Sequence, residues 1–196
     1  MANQDAPFGF RQVGGLGSRP TSEGTSKYTI ASGFADSIFA GDVVEAGAGT
    51  SEGGTAIAAG YVGNAAETSS TRNLGIFNGC FYTDPTTSKP TFKNYWPASV
   101  AAEAQAFVYD NPDDLFEVQA DGTLVQATVA RAVDMAYTTG STINGRSKEE
   151  IAVTAGADLA VRVIRISGDP ANSDIGAPNA NWIVKFNEHI YYNYST

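Results

Sequence analysis

Cysteine occurs once in the 196 residues, at Cys80, and histidine once, at His189. A single thiol cannot close an internal disulfide, so stability has to come from packing or from association. One His and one Cys cannot hold zinc without carboxylates, and a nucleophilic Cys needs a His partner. Cys80 therefore reads as a buried structural thiol in a strand, and His189 as a polar strand position. Basic residues are scarce too. The 12 Lys and Arg against 21 Asp and Glu leave a formal net charge of −9 and a pI near 4.4, with no Lys/Arg run, which argues against a nucleic-acid surface. No apolar run approaches the roughly 20 residues of a membrane helix. The first residues show neither a basic nor an apolar signal region, so a soluble chain with no membrane partner and no secretory leader is expected. A phosphate-cradling GxxxxGK[ST] loop, a GxSxG elbow, heptads and internal repeats are also missing. With no catalytic constellation, the expectation is a protein that is not an enzyme and uses no cofactor.

Glycine, at 21 copies, and aromatic residues, at 11%, are plentiful, while charged residues reach only 17%. That balance favours short strands and tight turns over helices, and the length suits one domain. The clearest stretch is residues 106–126. Phe107 and Tyr109 alternate with Val108, and Phe116 and Val118 alternate with Leu115, Glu117 and Gln119, the period of half-buried strands. Between them, Pro112 fixes its own φ and the side chains of Asp110, Asn111, Asp113 and Asp114 can bond nearby backbone, so the segment reads as a hairpin loop. A break at Asp121 and Gly122 then opens a further strand over 123–129. The five acids of this region, Asp110, Asp113, Asp114, Glu117 and Asp121, lack the ligand spacing of a calcium loop and read as a solvated edge; no metal is expected.

Along the rest of the chain, strands are expected over 27–30, 38–45 (with a turn at Gly41 and Asp42), 56–62 and 74–82. The glycines of 74–82 point to a bulge or a close backbone neighbour. Phe92, Tyr95 and Trp96 form an aromatic cluster that suits a core or a subunit interface better than a ligand box. Short helices are expected over 98–105 and from Ser147, where Glu150 three positions on completes a capping box. Residues 129–137 fit either a strand or a short helix. Residues 159–163 alternate and 164–166 fall out of phase, the mark of a bulge or of a strand buried on both faces. Trp182, Val184, Phe186, Ile190 and Tyr192 share one face of what reads as the longest strand, central to its sheet. The fold class is thus mainly β: a compact barrel or sandwich of short antiparallel strands with long Gly/Ser/Thr loops and one or two short helices. Its core is expected to include Phe107, Phe116, Val118, Val161, Val163, Trp182, Val184 and Phe186.

The first 25 residues carry almost no periodic pattern, yet Phe8 and Phe10 need somewhere to go. Residues 1–25 read either as a frayed tail or as an extended arm anchored on another subunit, with 26–196 as a single β-rich domain. Three segments, MANQDAPFGFR at 1–11, AFVYDNPDDLFEVQADG at 106–122 and NWIVKFNEH at 181–189, resemble a family of capsid decoration, or cement, proteins of tailed bacteriophages. The chain departs from that family's pattern at Gln12 and Val13, where a Pro-Val pair is expected.

The resemblance implies a virion structural protein on the outer surface of a phage head. Such a protein is commonly a homotrimer at three-fold positions, reinforces contacts between major capsid protein subunits, and resides in the host cytoplasm before assembly. On that reading Ala6, Pro7, Phe8, Gly9, Phe10 and Arg11 form the capsid-binding element. Pro7 stiffens it, Phe8 and Phe10 face the same way in an extended chain, Gly9 permits close approach, and Arg11 meets a capsid carboxylate. Deleting residues 1–13 would then leave a folded domain that no longer decorates heads. The alternative is a tail or fibre component that binds a host glycan through Tyr95 and Trp96.

Overall fold

Period-2 alternation dominates the sequence, and the computed structural model is built almost wholly of strands. It describes residues 2–18, 24–66, 73–156 and 159–192. In chain order the strands are β1 (Arg11–Gly15), β2 (Ser26–Ile30), β3 (Ile38–Phe39), β4 (Val43–Ala46), β5 (Gly49–Thr50), β6 (Ala56–Ile57), β7 (Val62–Asn64) and β8 (Asn73–Thr83). They continue as β9 (Pro90–Lys93), β10 (Tyr95–Trp96), β11 (Ala104–Tyr109), β12 (Asp114–Gln119), β13 (Ala132–Ala136), β14 (Glu150–Gly156), β15 (Val161–Ile166) and β16 (Asn181–Phe186). One sheet runs β1-β12-β16-β15-β13-β14, and a second runs β2-β11-β8-β4-β7 with β9 added on β8; β3 with β10 and β5 with β6 make two small ladders. The pairings within these sheets are antiparallel. The fold is mainly β, as the composition implied.

Two apolar cores result, and the second sheet serves both. Adjacent residues of a strand point to opposite faces. Val43 and Ile76 accordingly join Phe116, Trp182 and Phe186 in one core, while their neighbours Val44 and Phe77 join Leu74, Tyr82 and Trp96 in the other. Such double-faced burial demands close strand packing. At Gly75 of β8 an added Cβ would stand 2.1 Å from the Tyr109 carbonyl oxygen of β11, the close backbone neighbour that the glycines of this segment suggested. Gly75→Ala is expected to destabilise the fold by about 1–3 kcal/mol through forced backbone displacement. The check is a urea titration, where an unchanged midpoint would show that the strands can part without loss.

Several local expectations are corrected. Residues 106–126 do not form a hairpin: β11 lies in the second sheet between β2 and β8, and β12 lies in the first between β1 and β16. The turn chemistry itself is as read, with the Asn111 side chain accepting the Asp113 N–H at 3.1 Å, but the turn carries the chain from one sheet to the other. Ala104, Ala106 and Val108 of β11 are buried, which leaves Phe107 half-buried on the opposite face and outside the core. The remaining seven expected core residues are buried. Residues 123–125 carry no strand, and Gln126–Thr128 is a single 3₁₀ turn.

Neither expected helix forms. Ala98 and Ser99 adopt left-handed φ of 57° and 51°, which interrupts helical geometry before β11 begins. Ser147 Oγ does accept a backbone N–H, but from Glu149 at 2.9 Å, and this turn opens β14. Residues 132–136 resolve as strand β13, and the phase break of β15 is a bulge between Val163 and Arg165. The longest strand is the 11-residue β8, although β16 is interior to its sheet. His189 lies beyond β16 and is fully buried, its ring 5.6 Å from that of Phe186. It is a core residue at a turn.

Candidate functional site

The N-terminal segment is bound to its own domain. The buried amide of Gln119 accepts the Ala6 N–H at 2.9 Å and donates to the Gln4 carbonyl at 2.9 Å. Asn172 grips Gln4 in the same way, accepting its N–H and donating to its carbonyl, both at 2.9 Å. Asn3 in turn donates to the Pro178 carbonyl at 2.9 Å. These side-chain amides satisfy backbone groups that a sheet ladder would otherwise pair. From Arg11 onward a true ladder takes over, as β1 runs antiparallel to β12 with Arg11 opposite Glu117. β1 is thus an edge strand of the first sheet. Of the expected arm, Met1 and residues 19–23 lie outside the described residues.

Gly9 decides where the two phenylalanines go. Its φ is +75°, and a Cβ there would lie 2.4 Å from Ser147 Cβ and 2.8 Å from the Gly41 carbonyl oxygen. The kink ends the extended geometry in which Phe8 and Phe10 would point the same way. Phe10 turns into the core, 3% exposed, with its N–H donating to the Gly41 carbonyl at 2.9 Å. Phe8 remains half-buried at the surface.

A cleft of about 170 Å³ lies beside this kink, between Phe8 and Arg11 on the N-terminal segment and Asn78, Tyr109 and Arg146 on the domain. Three of the six expected site residues, Phe8, Phe10 and Arg11, line it. Ala6, Pro7 and Gly9 do not; Ala6 is held by Gln119, and Gly9 is pressed against Ser147 and Gly41. Arg11 is salt-bridged to Glu117 and its guanidinium sits 5.1 Å from the Phe8 ring centroid. The expectation that Phe10 and Arg11 are both available to a partner is thereby corrected, since Phe10 is core and Arg11 already has a carboxylate. Arg146, an exposed cation on the opposite wall, was not singled out from sequence. Arg146 thus brings a second guanidinium to the aromatic edge, while the charge of Arg11 is matched by Glu117.

A second surface feature is the outer face of the second sheet. Phe81 and Phe92 sit directly opposite each other on β8 and β9, 39% and 59% exposed, and the Phe92 ring lies 5.9 Å from that of Phe107. Gly79 leaves the room for this, because a Cβ there would meet the Phe92 ring at 3.2 Å. The expected aromatic cluster thus divides. Trp96 is fully buried and donates from Nε1 to the Phe34 carbonyl at 3.0 Å, and Tyr95 stacks on Phe39 at 5.6 Å. Trp96 cannot present a face to a glycan.

Acidic side chains of 110–117 have partners within the chain. Asp110 accepts the Tyr28 hydroxyl at 2.6 Å, Asp113 the Tyr192 hydroxyl at 2.7 Å, Asp114 the Gln12 amide, and Glu117 both Arg11 and the Ser167 hydroxyl. Among the described residues no group of three or more His, Cys, Asp or Glu side chains is arranged to hold a metal ion. No helix among them is long and apolar enough to cross a membrane. No protein-family model, curated protein or solved structure matches the chain.

Proposed function

We propose that this chain is a virion structural protein that decorates the outer surface of a tailed-phage head and reinforces contacts between major capsid protein subunits, as a homotrimer at three-fold positions. The observation that carries the reading lies in the N-terminal segment, the first of the three stretches with the family resemblance. There Phe8 stands at the surface between Arg11 and Arg146, on a backbone fixed by Gln119, Asn172 and the β1–β12 ladder. A pre-ordered aromatic edge with the Arg146 cation beside it suits an acidic, partly apolar segment of a shell protein, because little ordering entropy is lost on docking. Completing the burial of one Phe contributes roughly 1.5–3 kcal/mol at most, and many copies on one particle multiply its effect on occupancy. The exposed Phe81 and Phe92, with half-buried Phe107 beside them, supply a second apolar surface for contact between copies.

The test is binding of the purified chain to expanded, undecorated heads of the phage that encodes it, with cryo-EM of the decorated particles. Density at three-fold positions is the expected result. Phe8→Ala combined with Arg146→Glu is expected to weaken head binding at least tenfold, about 1.4 kcal/mol, with an unchanged melting temperature. Wild-type saturation by the double variant would move the contact away from this cleft. Absence of the chain from the head surface would remove the proposal altogether.

A further inference from the structure

Beyond β16 of the first sheet, residues 187–192 turn back and fasten onto the second sheet. The Ile190 N–H donates to the Asn73 carbonyl of β8 at 2.9 Å, and the Ile190 side chain packs against the second core. The Tyr191 hydroxyl lies 2.6 Å from the Tyr28 hydroxyl of β2, which in turn donates to Asp110 at 2.6 Å. The Tyr192 hydroxyl donates to Asp113, in the turn between β11 and β12, at 2.7 Å. His189 is fully buried under these contacts, with the rings of Phe186, Tyr191 and Tyr192 at 5.6, 5.4 and 6.3 Å.

The imidazole itself closes the turn. Its Nδ1 accepts the Tyr191 N–H at 3.2 Å, which requires an unprotonated nitrogen there, and Nε2 makes no well-formed hydrogen bond. The ring is therefore held neutral. A second proton would land on Nδ1 and set two N–H donors against each other among aromatic rings, so the charged ring and the closed turn exclude one another. The charged groups around the ring are Glu188, adjacent on the turn, Lys185 on β16, and Asp110 and Asp113 between β11 and β12; β8 presents the Leu74 carbonyl. Burial acts most strongly and lowers the ring below its ordinary value of 6.5; Lys185 acts with it, while the Leu74 carbonyl and Asp110 favour the charged form.

We propose that residues 187–192 are an acid-opened latch between the two sheets, with His189 as its trigger: uptake of one proton by the ring breaks the Tyr191 N–H bond and releases Ile190, Tyr191 and Tyr192 while both sheets stay folded. At neutral pH the latch is shut. As pH falls below the ordinary histidine value, the opened turn, whose hydrated imidazole takes the proton freely, gains on the closed one by up to about tenfold per pH unit. The opening is local because Tyr191 and Tyr192 are each 47% exposed and hold the turn by surface hydroxyls, whereas β16 is paired on both sides, with β12 and β15. The latch does not depend on head binding.

The experiment is NMR and hydrogen exchange on the full chain between about pH 7.5 and about pH 5. His189 is the only histidine, so its ring protons are identified without mutagenesis. They are expected to titrate below 6.5, with the Tyr191 N–H shift following the same midpoint. Exchange corrected for the intrinsic pH dependence of amides is expected to show at least tenfold lower protection of Ile190 and Tyr191 at the acid end, with β12 and β16 unchanged. In His189→Gln, whose side-chain oxygen can accept the Tyr191 N–H at every pH, that protection is expected to be independent of pH. Should this variant fail to fold, Tyr191→Phe, which removes only the Tyr28 tie, decides the matter by opening the turn at higher pH than the wild type. The proposal is overturned if the ring titrates at or above 6.5, if the turn keeps its protection at pH 5, or if β12 and β16 lose theirs together with it. It is overturned equally if His189→Gln keeps the pH dependence or if Tyr191→Phe opens at the wild-type pH.

Discussion

Replacing Phe10 by alanine is expected to lower the free energy of unfolding by about 3–5 kcal/mol, the range for deleting a buried aromatic ring. The ring is 3% exposed in the core that also holds Phe116, Trp182 and Phe186, so its loss leaves a void in close-packed surroundings. Deleting residues 1–13 is expected to be worse. It removes Phe10, most of edge strand β1 and the N–H groups that the side-chain oxygens of Gln119 and Asn172 accept, while their amide nitrogens keep Asn179 and Asn181 as acceptors. The truncated chain should unfold at markedly lower urea or fail to accumulate, contrary to the expectation of a detachable arm. Phe8→Ala, at a half-buried position in the same segment, is expected to shift stability by about 1 kcal/mol or less. Urea titrations of the three variants separate the cases. A truncation as stable as the full chain would mean that β1 contributes nothing to the sheet it completes.

The contrast between Phe8 and Phe10 shows what local pattern can carry. Two phenylalanines separated by glycine are compatible with an extended chain that presents both on one face and with a kink that separates them. The deciding contacts come from Gly41 and Ser147, over 30 and over 130 positions away in sequence. The same holds for β11. Alternation correctly placed a strand there but left its phase open, and side-chain size favoured Phe107 for the inner face. That face meets a core already occupied by Tyr82 and Trp96, whose rings pack edge-on at 5.7 Å, and it accommodates Ala104, Ala106 and Val108. Features marked by local residue type or alternation were legible: the Asx turn at Asn111 and the phase break that is a bulge in β15, and the glycines of β8 announced a close neighbour without saying which strand supplies it. Features that depend on which strands meet were not. Arg11 opposite Glu117 is a pairing between residues more than 100 positions apart, and Arg146 enters the cleft from a loop with no motif to mark it. The Ser147 hydroxyl was rightly read as binding backbone, but a hydroxyl that can cap a helix can equally turn the chain into a strand, and tertiary packing chose the strand.

Stability is expected to fall as pH rises from 5 to 8, and Asp42→Asn is expected to remove most of that fall. Asp42 is fully buried, and burial pushes its carboxyl up from 3.8 to about 7, although the Phe39 N–H at 2.7 Å and the Ser147 side chain favour the charged form. A second buried carboxylate, Glu149, accepts the N–H of the adjacent Val43 at 2.8 Å. An acid whose folded value exceeds its unfolded value holds its proton in the native state after the unfolded chain has released it. The stabilisation is complete below about pH 4 and disappears as pH climbs through about 7, a total on the order of 4 kcal/mol. Glu150, also raised to about 7 by burial and by the charges of Asp5 and Asp121, acts in the same sense but is partly solvated and contributes less. His189 acts in the opposite sense. Burial lowers its value, so below about pH 6.5 the unfolded chain takes up a proton that the native state refuses. The informative quantity is therefore the difference between wild type and Asp42→Asn at each pH, in which the contributions of His189 and Glu150 cancel to first order. Asparagine retains the oxygen that accepts the Phe39 N–H and cannot ionise, so the variant should gain on the wild type from pH 5 to about 7 and level off toward pH 8. Urea midpoints of the two proteins that keep a constant separation across that range would show that Asp42 does not titrate in the folded state.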